Sequence, residues 1–101
     1  MNPSKVIRER VVRLTDLPNI GPSIEADLVQ LGITRPAQLV HMSPYEMYER
    51  LCTQTRTIHD PCLLDVFISI TRFMDGDPPR PWWHYTAERK KRFTQKKGLA
   101  R

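Results

Sequence analysis

Cysteine, glycine and long apolar runs are scarce in this chain. It has two cysteines and four glycines in 101 residues, and no apolar stretch approaches the roughly 18 residues that a membrane-spanning helix requires. Two cysteines without a secretory signal are expected as reduced thiols, not as a disulfide framework. Lys5, Arg8, Glu9 and Arg10 break up the stretch where a signal peptide would carry its apolar core, which predicts a cytoplasmic location and no membrane partner. No alternating apolar pattern of a strand occurs. Gly-rich nucleotide loops, nucleophile elbows and paired-carboxylate patterns are also missing, so no enzyme activity and no cofactor are expected. The length suits one domain with a modest core.

The most informative stretch runs from Leu17 to Thr34, LPNIGPSIEADLVQLGIT. Pro18 fixes its own φ, Asn19 tolerates a left-handed backbone, and Gly21 is expected to take positive φ or to let another backbone come close. Pro22 suits a first helical position. Ile24, Leu28 and Leu31 then recur at i, i+4 and i+7, and Gly32 stops the helix. Unpaired N–H groups at such a turn and helix start can hold an anion without a cationic side chain.

The order LPNIG followed by ADLVQLGI resembles a helix-hairpin-helix motif. Together with SPYEMYERLC, HDPCLLDVF and PWWHY, the chain is similar over roughly residues 10–86 to small bacterial helix-hairpin-helix proteins of the pathogenicity-locus, or mitomycin-resistance-like, family. The C-terminal domain of TfoX-type competence regulators is a more distant likeness. The resemblance implies a helical domain that contacts the DNA backbone non-specifically. Many DNA-binding members place a lysine or arginine after the Gly-Pro pair, where this chain has Ser23.

Helical spacing of Ile7, Val11 and Leu14 predicts a first helix over residues 3–14, and Thr34 is expected to cap a short helix from Arg35 to about Val40. Ser43, Pro44 and Glu46 form a capping box that opens a helix through Met47, Tyr48, Leu51 and Cys52. Asp60 and Pro61 open another. In it Asp65, Ser69 and Arg72 form a narrow polar stripe among apolar residues, which predicts the most buried helix, ended by Gly76. These two helices are candidates for a degenerate second hairpin unit. DGDPPRP reads as an extended connector, Trp82 and Trp83 are expected to fold back on the body, and Thr86 is placed to cap a last basic helix over residues 87–97 or to precede a flexible tail.

Charge is distributed unevenly. From Glu88 to Arg101 seven Lys or Arg face one acid, a balance of +6 within a chain whose net charge is +5, which leaves the remainder at −1. Such a tail attracts nucleic acid by counterion release and is equally common as a solvated terminus. Between Leu14 and Thr34 there is no Lys or Arg, whereas Asp16, Glu25 and Asp27 are acidic. Cys52, His59 and Cys62, with His41 or His84 as further ligands, match no common zinc spacing, so no metal is expected. Helix-start position would lower the thiol pKa of Cys62 if it were exposed, although Leu63 and Leu64 favour its burial.

The fold expected is all-α, a single helix-hairpin-helix-type domain of about five helices over residues 1–86 with a basic C-terminal helix or flexible tail over 87–101. The function expected is a non-catalytic DNA-binding module that contacts phosphates without sequence specificity. Asn19, Ile20, Gly21 and Ser23 are its hairpin contacts, and Arg89, Lys90, Lys91, Arg92, Lys96 and Lys97 supply electrostatic attraction. The competing reading is a protein-interaction or scaffold domain without nucleic acid, for which the acidic hairpin argues.

Overall fold

Among the described residues proline opens three of the four α-helices, because its fixed φ suits the first turn and its missing N–H costs nothing there. In the computed structural model, which describes residues 2–99 with side chains as far as Arg92, these are α1 (Pro22–Gln30), α2 (Pro44–Thr55) and α3 (Pro61–Met74). Ser43 and Asp60 cap α2 and α3 by accepting from the amides of Glu46 and Cys62. Glycine ends α1 and α3. Gly32 (φ 81°) and Gly76 (φ 117°) take the left-handed conformation, and the bonds Ile33 N–H to Leu28 O and Asp77 N–H to Arg72 O, both close to 3.0 Å, complete the turn back. A fourth helix, α4 (Thr86–Leu99), follows the proline connector. Among the described residues the fold is all-helical and contains no strand, and no helix is long and apolar enough to cross a membrane.

The first expected helix is absent. Residues 3–14 and the two that follow instead make three 3-10 turns, Pro3–Lys5, Arg8–Arg10 and Leu14–Asp16. Tertiary anchoring overrides the helical spacing. The Arg8 guanidinium lies 4.1 Å from the Phe73 ring centroid and donates to the carbonyls of Phe73 and Asp77 at the end of α3, where carbonyls lack helical partners. This pulls the segment across the body, with Val6 and Val11 half-buried and Ile7 exposed. The short helix near residue 36 is a 3-10 turn, Pro36–Leu39. Its cap is Gln38, whose Oε1 accepts from the amides of Thr34 and Arg35, so Thr34 is not the cap expected.

The core forms around α3, where Leu64, Phe67, Ile68 and Ile70 are wholly enclosed. The expected polar stripe is not a solvated face. Asp65 and Ser69 are buried, because α4 and the Leu17–Pro22 turn pack over them. Asp65 accepts from the Thr86 hydroxyl at 2.7 Å and from Arg89 Nε at 2.9 Å. Thr86 therefore anchors α4 sideways; it follows the 3-10 turn Trp82–Tyr85 with helical dihedrals and does not act as an N-cap. Further along, Arg72 pairs with Glu88 and Arg92 lies 4.6 Å from the Tyr45 ring centroid. The start of α4 thus belongs to the folded body.

Two exposed carboxylates hold local turns. Asp16 Oδ2 accepts from the amides of Arg13 (2.8 Å) and Val12 (3.0 Å), and Asp60 Oδ1 from that of Cys62 (2.8 Å). These backbone bonds, foremost those from Arg13 and Cys62, hold both carboxyls below their ordinary 3.8. Depressed native values give stability that is fully present above the unfolded-state pKa and is lost as pH falls through the native one. Thermal melts should therefore give a level Tm from neutrality down to about pH 5 and a decline below about pH 4. The combined Asp16→Asn, Asp60→Asn variant should decline less steeply. An equal decline in that variant would remove these two groups as its source.

Candidate nucleic-acid interface

The turn before α1 is held from within. Leu17, Pro18 and Ile20 are buried, and Asn19 takes the left-handed conformation that its short amide tolerates, at φ 69°. Its side chain faces inward. Asn19 Nδ2 donates to Ser69 Oγ (3.0 Å) and to the Arg80 carbonyl (2.9 Å), while Oδ1 accepts from the Trp82 amide (3.2 Å). One residue thereby joins the turn, α3 and the tryptophan connector. As a hairpin contact to phosphate, the Asn19 side chain is already committed, and the Ile20 side chain is enclosed.

Gly21 departs from expectation in another way. Its φ of −102° and ψ of −178° are ordinary extended values, and a Cβ built there would meet no heavy atom within 4 Å. Neither positive φ nor a close approach explains it. What the glycine does is leave α1 uncapped: it occupies the N-cap position, and among the described residues no side-chain hydrogen bond caps the first turn. The Glu25 amide reaches the Gly21 carbonyl at 3.0 Å, which leaves the amides of Ser23 and Ile24 at the start of the helix, where no intrahelical partner exists. Gly21, Pro22 and Ser23 are all exposed. Of the four expected hairpin residues, Gly21 and Ser23 face outward.

A cleft of about 670 Å³ lies in front of this helix start. Thr15, Asn19, Ile20, Gly21 and Pro22 form one side, and Pro3, Trp82 and Trp83 line the rest. The two indoles meet edge to face, with centroids 5.5 Å apart and planes at 85°. Trp82 folds back on the core as expected, whereas Trp83 stays 61% exposed. Thr15 also lines a second groove beside the first, with the cations Lys5 and Arg10 and the carboxylate of Asp16 on its walls. These two cations were not among the expected contacts, since the helical pattern assigned the segment to a different conformation.

The acidic residues of the hairpin are dispersed. Asp16 spends its carboxylate on local amides, Asp27 lines a separate groove with His59 and Cys62, and Glu25 sits half-buried in the first turn of α1. The tail cations are likewise not equivalent. Arg89 is 9% exposed and is consumed by Asp65, whose hydrogen bonds hold the guanidinium above its ordinary pKa. Arg89, expected to supply electrostatic attraction from the tail, is thus engaged with α3, on which α4 packs there. Arg92 is seated on Tyr45, and Lys90 and Lys91 are exposed. The side chains of Lys96 and Lys97 lie outside the described residues.

Cys52 and Cys62 are unlinked and half-buried. Burial, followed by the adjacent Asp60, pushes the Cys62 thiol up from its ordinary 9.0, opposite in sign to the helix-start effect on an exposed thiol. His59 Nε2 is bonded to Thr55 Oγ1 at 2.8 Å, and the His59 carbonyl accepts from the Tyr48 hydroxyl, which burial pushes up to about 12. Among the described residues no three His, Cys, Asp or Glu side chains are grouped to hold a metal.

The family model described as pathogenicity locus matches residues 7–91. The chain is similar to a mitomycin resistance protein, McrB, of Streptomyces lavendulae, with 46% identity over 78 residues that cover 77% of this chain and 74% of that protein. No solved structure matches.

Proposed function

Given that this chain belongs to the pathogenicity-locus family, we propose that it is a non-catalytic DNA-binding module of helix-hairpin-helix type that holds backbone phosphate at the start of α1 without reading sequence. The observation that carries this is the open N-cap at Gly21. Ser, Thr, Asp or Asn is the stabilising choice at an N-cap, and a capping side chain would occupy the amides of the first turn. A glycine with ordinary dihedrals and open space around it forgoes that stabilisation and leaves those amides for an external anion, which the helix dipole favours. In this reading the first helix of the motif is reduced to the 3-10 turn Leu14–Asp16, and α2 with α3 forms the second hairpin unit. Lys5 and Arg10, Lys91 and the cations beyond Arg92 add attraction that salt screens.

Gly21→Asp separates binding from folding. An aspartate there is positioned to cap α1, so Tm should hold or rise, with a gain of a few tenths to about 1 kcal/mol. Its carboxylate would fill the anion position and repel phosphate, so duplex affinity should fall roughly tenfold, about 1.4 kcal/mol. Fluorescence anisotropy with a labelled duplex at two salt concentrations measures this. An unchanged Kd in the folded variant would move the phosphate contact away from α1, and no duplex binding by the parent at low salt would leave the scaffold reading.

A further inference from the structure

We propose that the cleft between the start of α1 and the Trp82–Trp83 pair takes an unpaired base of single-stranded DNA, stacked on the Trp83 indole. This rests on the DNA-binding reading above and narrows the partner from any DNA backbone to one with unstacked bases. The first ground is the state of Trp83. Its neighbour Trp82 packs against the core, yet Trp83 leaves 61% of its surface in water beside a cleft of about 670 Å³, within the roughly 300–1,000 Å³ typical of ligand clefts. An indole is a broad π-face on which any base can stack, so such a contact is tolerant of sequence.

Charge and rigidity supply two further grounds. The cleft walls are largely apolar, with Pro3, Ile20 and Pro22 opposite or beside the indoles, while the groove that adjoins it at Thr15 carries Lys5 and Arg10 against the single carboxylate of Asp16, which is bonded to the Val12 and Arg13 amides. An apolar floor flanked by cations fits a ligand with a flat uncharged part linked to an anionic backbone. The Asn19 amide bonds to both the Arg80 carbonyl and the Trp82 amide, so the connector bearing the indoles is tied to the turn that leads into α1. Within an intact duplex both faces of each base are already stacked on neighbours. Only an unpaired base offers a face to Trp83.

Trp82→Phe leaves Trp83 as the sole tryptophan and makes its fluorescence the reporter. Titration with oligothymidylate should quench that emission, and an abasic strand of equal length should bind roughly tenfold or more weakly. In the parent background Trp83→Ala should weaken oligothymidylate binding to a similar extent, with Trp83→Phe recovering much of it. Because Trp83 is exposed, its variants should keep the parent's Tm. Equal affinity for the abasic strand, absence of quenching, or an unaffected Trp83→Ala variant would overturn the stacking proposal. If any of these occurs while duplex binding remains sensitive to Gly21→Asp, the DNA-binding reading stands and only the base site falls. No binding to strand or duplex by the parent removes both.

Discussion

Replacing Arg89 with alanine should cost the fold about 3–5 kcal/mol, the range for a buried ion pair broken on one side. Asp65 is fully enclosed on α3, and its carboxylate has two charge-assisted or hydroxyl partners, Arg89 and Thr86, both on α4. Removing the guanidinium leaves a buried negative charge with one neutral donor. Urea denaturation at neutral pH measures the loss, and the double variant Asp65→Leu, Arg89→Met should recover most of it, because an apolar pair carries no desolvation penalty. A loss below about 1 kcal/mol would mean that the pair behaves like a surface ion pair. The same packing limits which truncations keep the body intact. A chain ended after Ala87 also lacks Glu88, Arg89 and Arg92, each of which is bonded to or seated on the body. Ending it after Arg92 keeps those residues in place and removes the cations beyond, and the salt slope of duplex binding should then fall by roughly 0.9 for each phosphate no longer neutralised.

Asn19→Ala should cost about 2.5–6.5 kcal/mol. Three hydrogen bonds disappear, each worth about 0.5–1.5 kcal/mol, and alanine is forced to φ 69°, where a residue with a Cβ and no amide to bond locally pays roughly 1–2 kcal/mol. Asn19→Gly separates the two effects: it forgoes the same bonds but adopts the dihedral freely, so its Tm should lie between the parent and the alanine variant. Tryptophan emission should shift to the red in both variants as the Trp82 amide loses its acceptor and the connector loosens. Equal Tm values for alanine and glycine would show that the backbone conformation contributes nothing. An unshifted spectrum would show that the connector is held by packing on the core alone.

Local signals found α1, α2 and α3 because they act within one turn of helix. Proline at the first position, Ser43 and Asp60 as caps, and Gly32 and Gly76 as stops each work through dihedral preference or a bond to a neighbouring amide. The left-handed Asn19 was legible for the same reason. The N-terminal segment was not: Ile7, Val11 and Leu14 keep helical spacing, but the anchor that breaks the helix is Arg8 on Phe73, 65 residues away. The site was partly legible. Gly21 and Ser23 are presented outward, whereas Asn19 faces inward and Lys5 and Arg10 arrive beside the cleft through a path that periodicity does not encode.

By itself the sequence determined the all-helical class, the starts of the three proline-led helices, the glycine ends of α1 and α3, and α3 as the most buried element, whereas α2 runs on through residues 53–55, where the polar stretch reads as a loop. Each of these follows from covalent geometry, from short-range hydrogen bonds or from the count of apolar residues on a helix. Only the tertiary structure decided what the polar residues do. Asp65, Ser69 and Arg89 look like solvated positions along the chain, and they are buried because α4 and the hairpin turn bring partners for them from 24 and 50 residues away. Whether a polar group is left to water or enclosed depends on whether a complementary donor or acceptor reaches it, and that pairing exists only once the helices have packed.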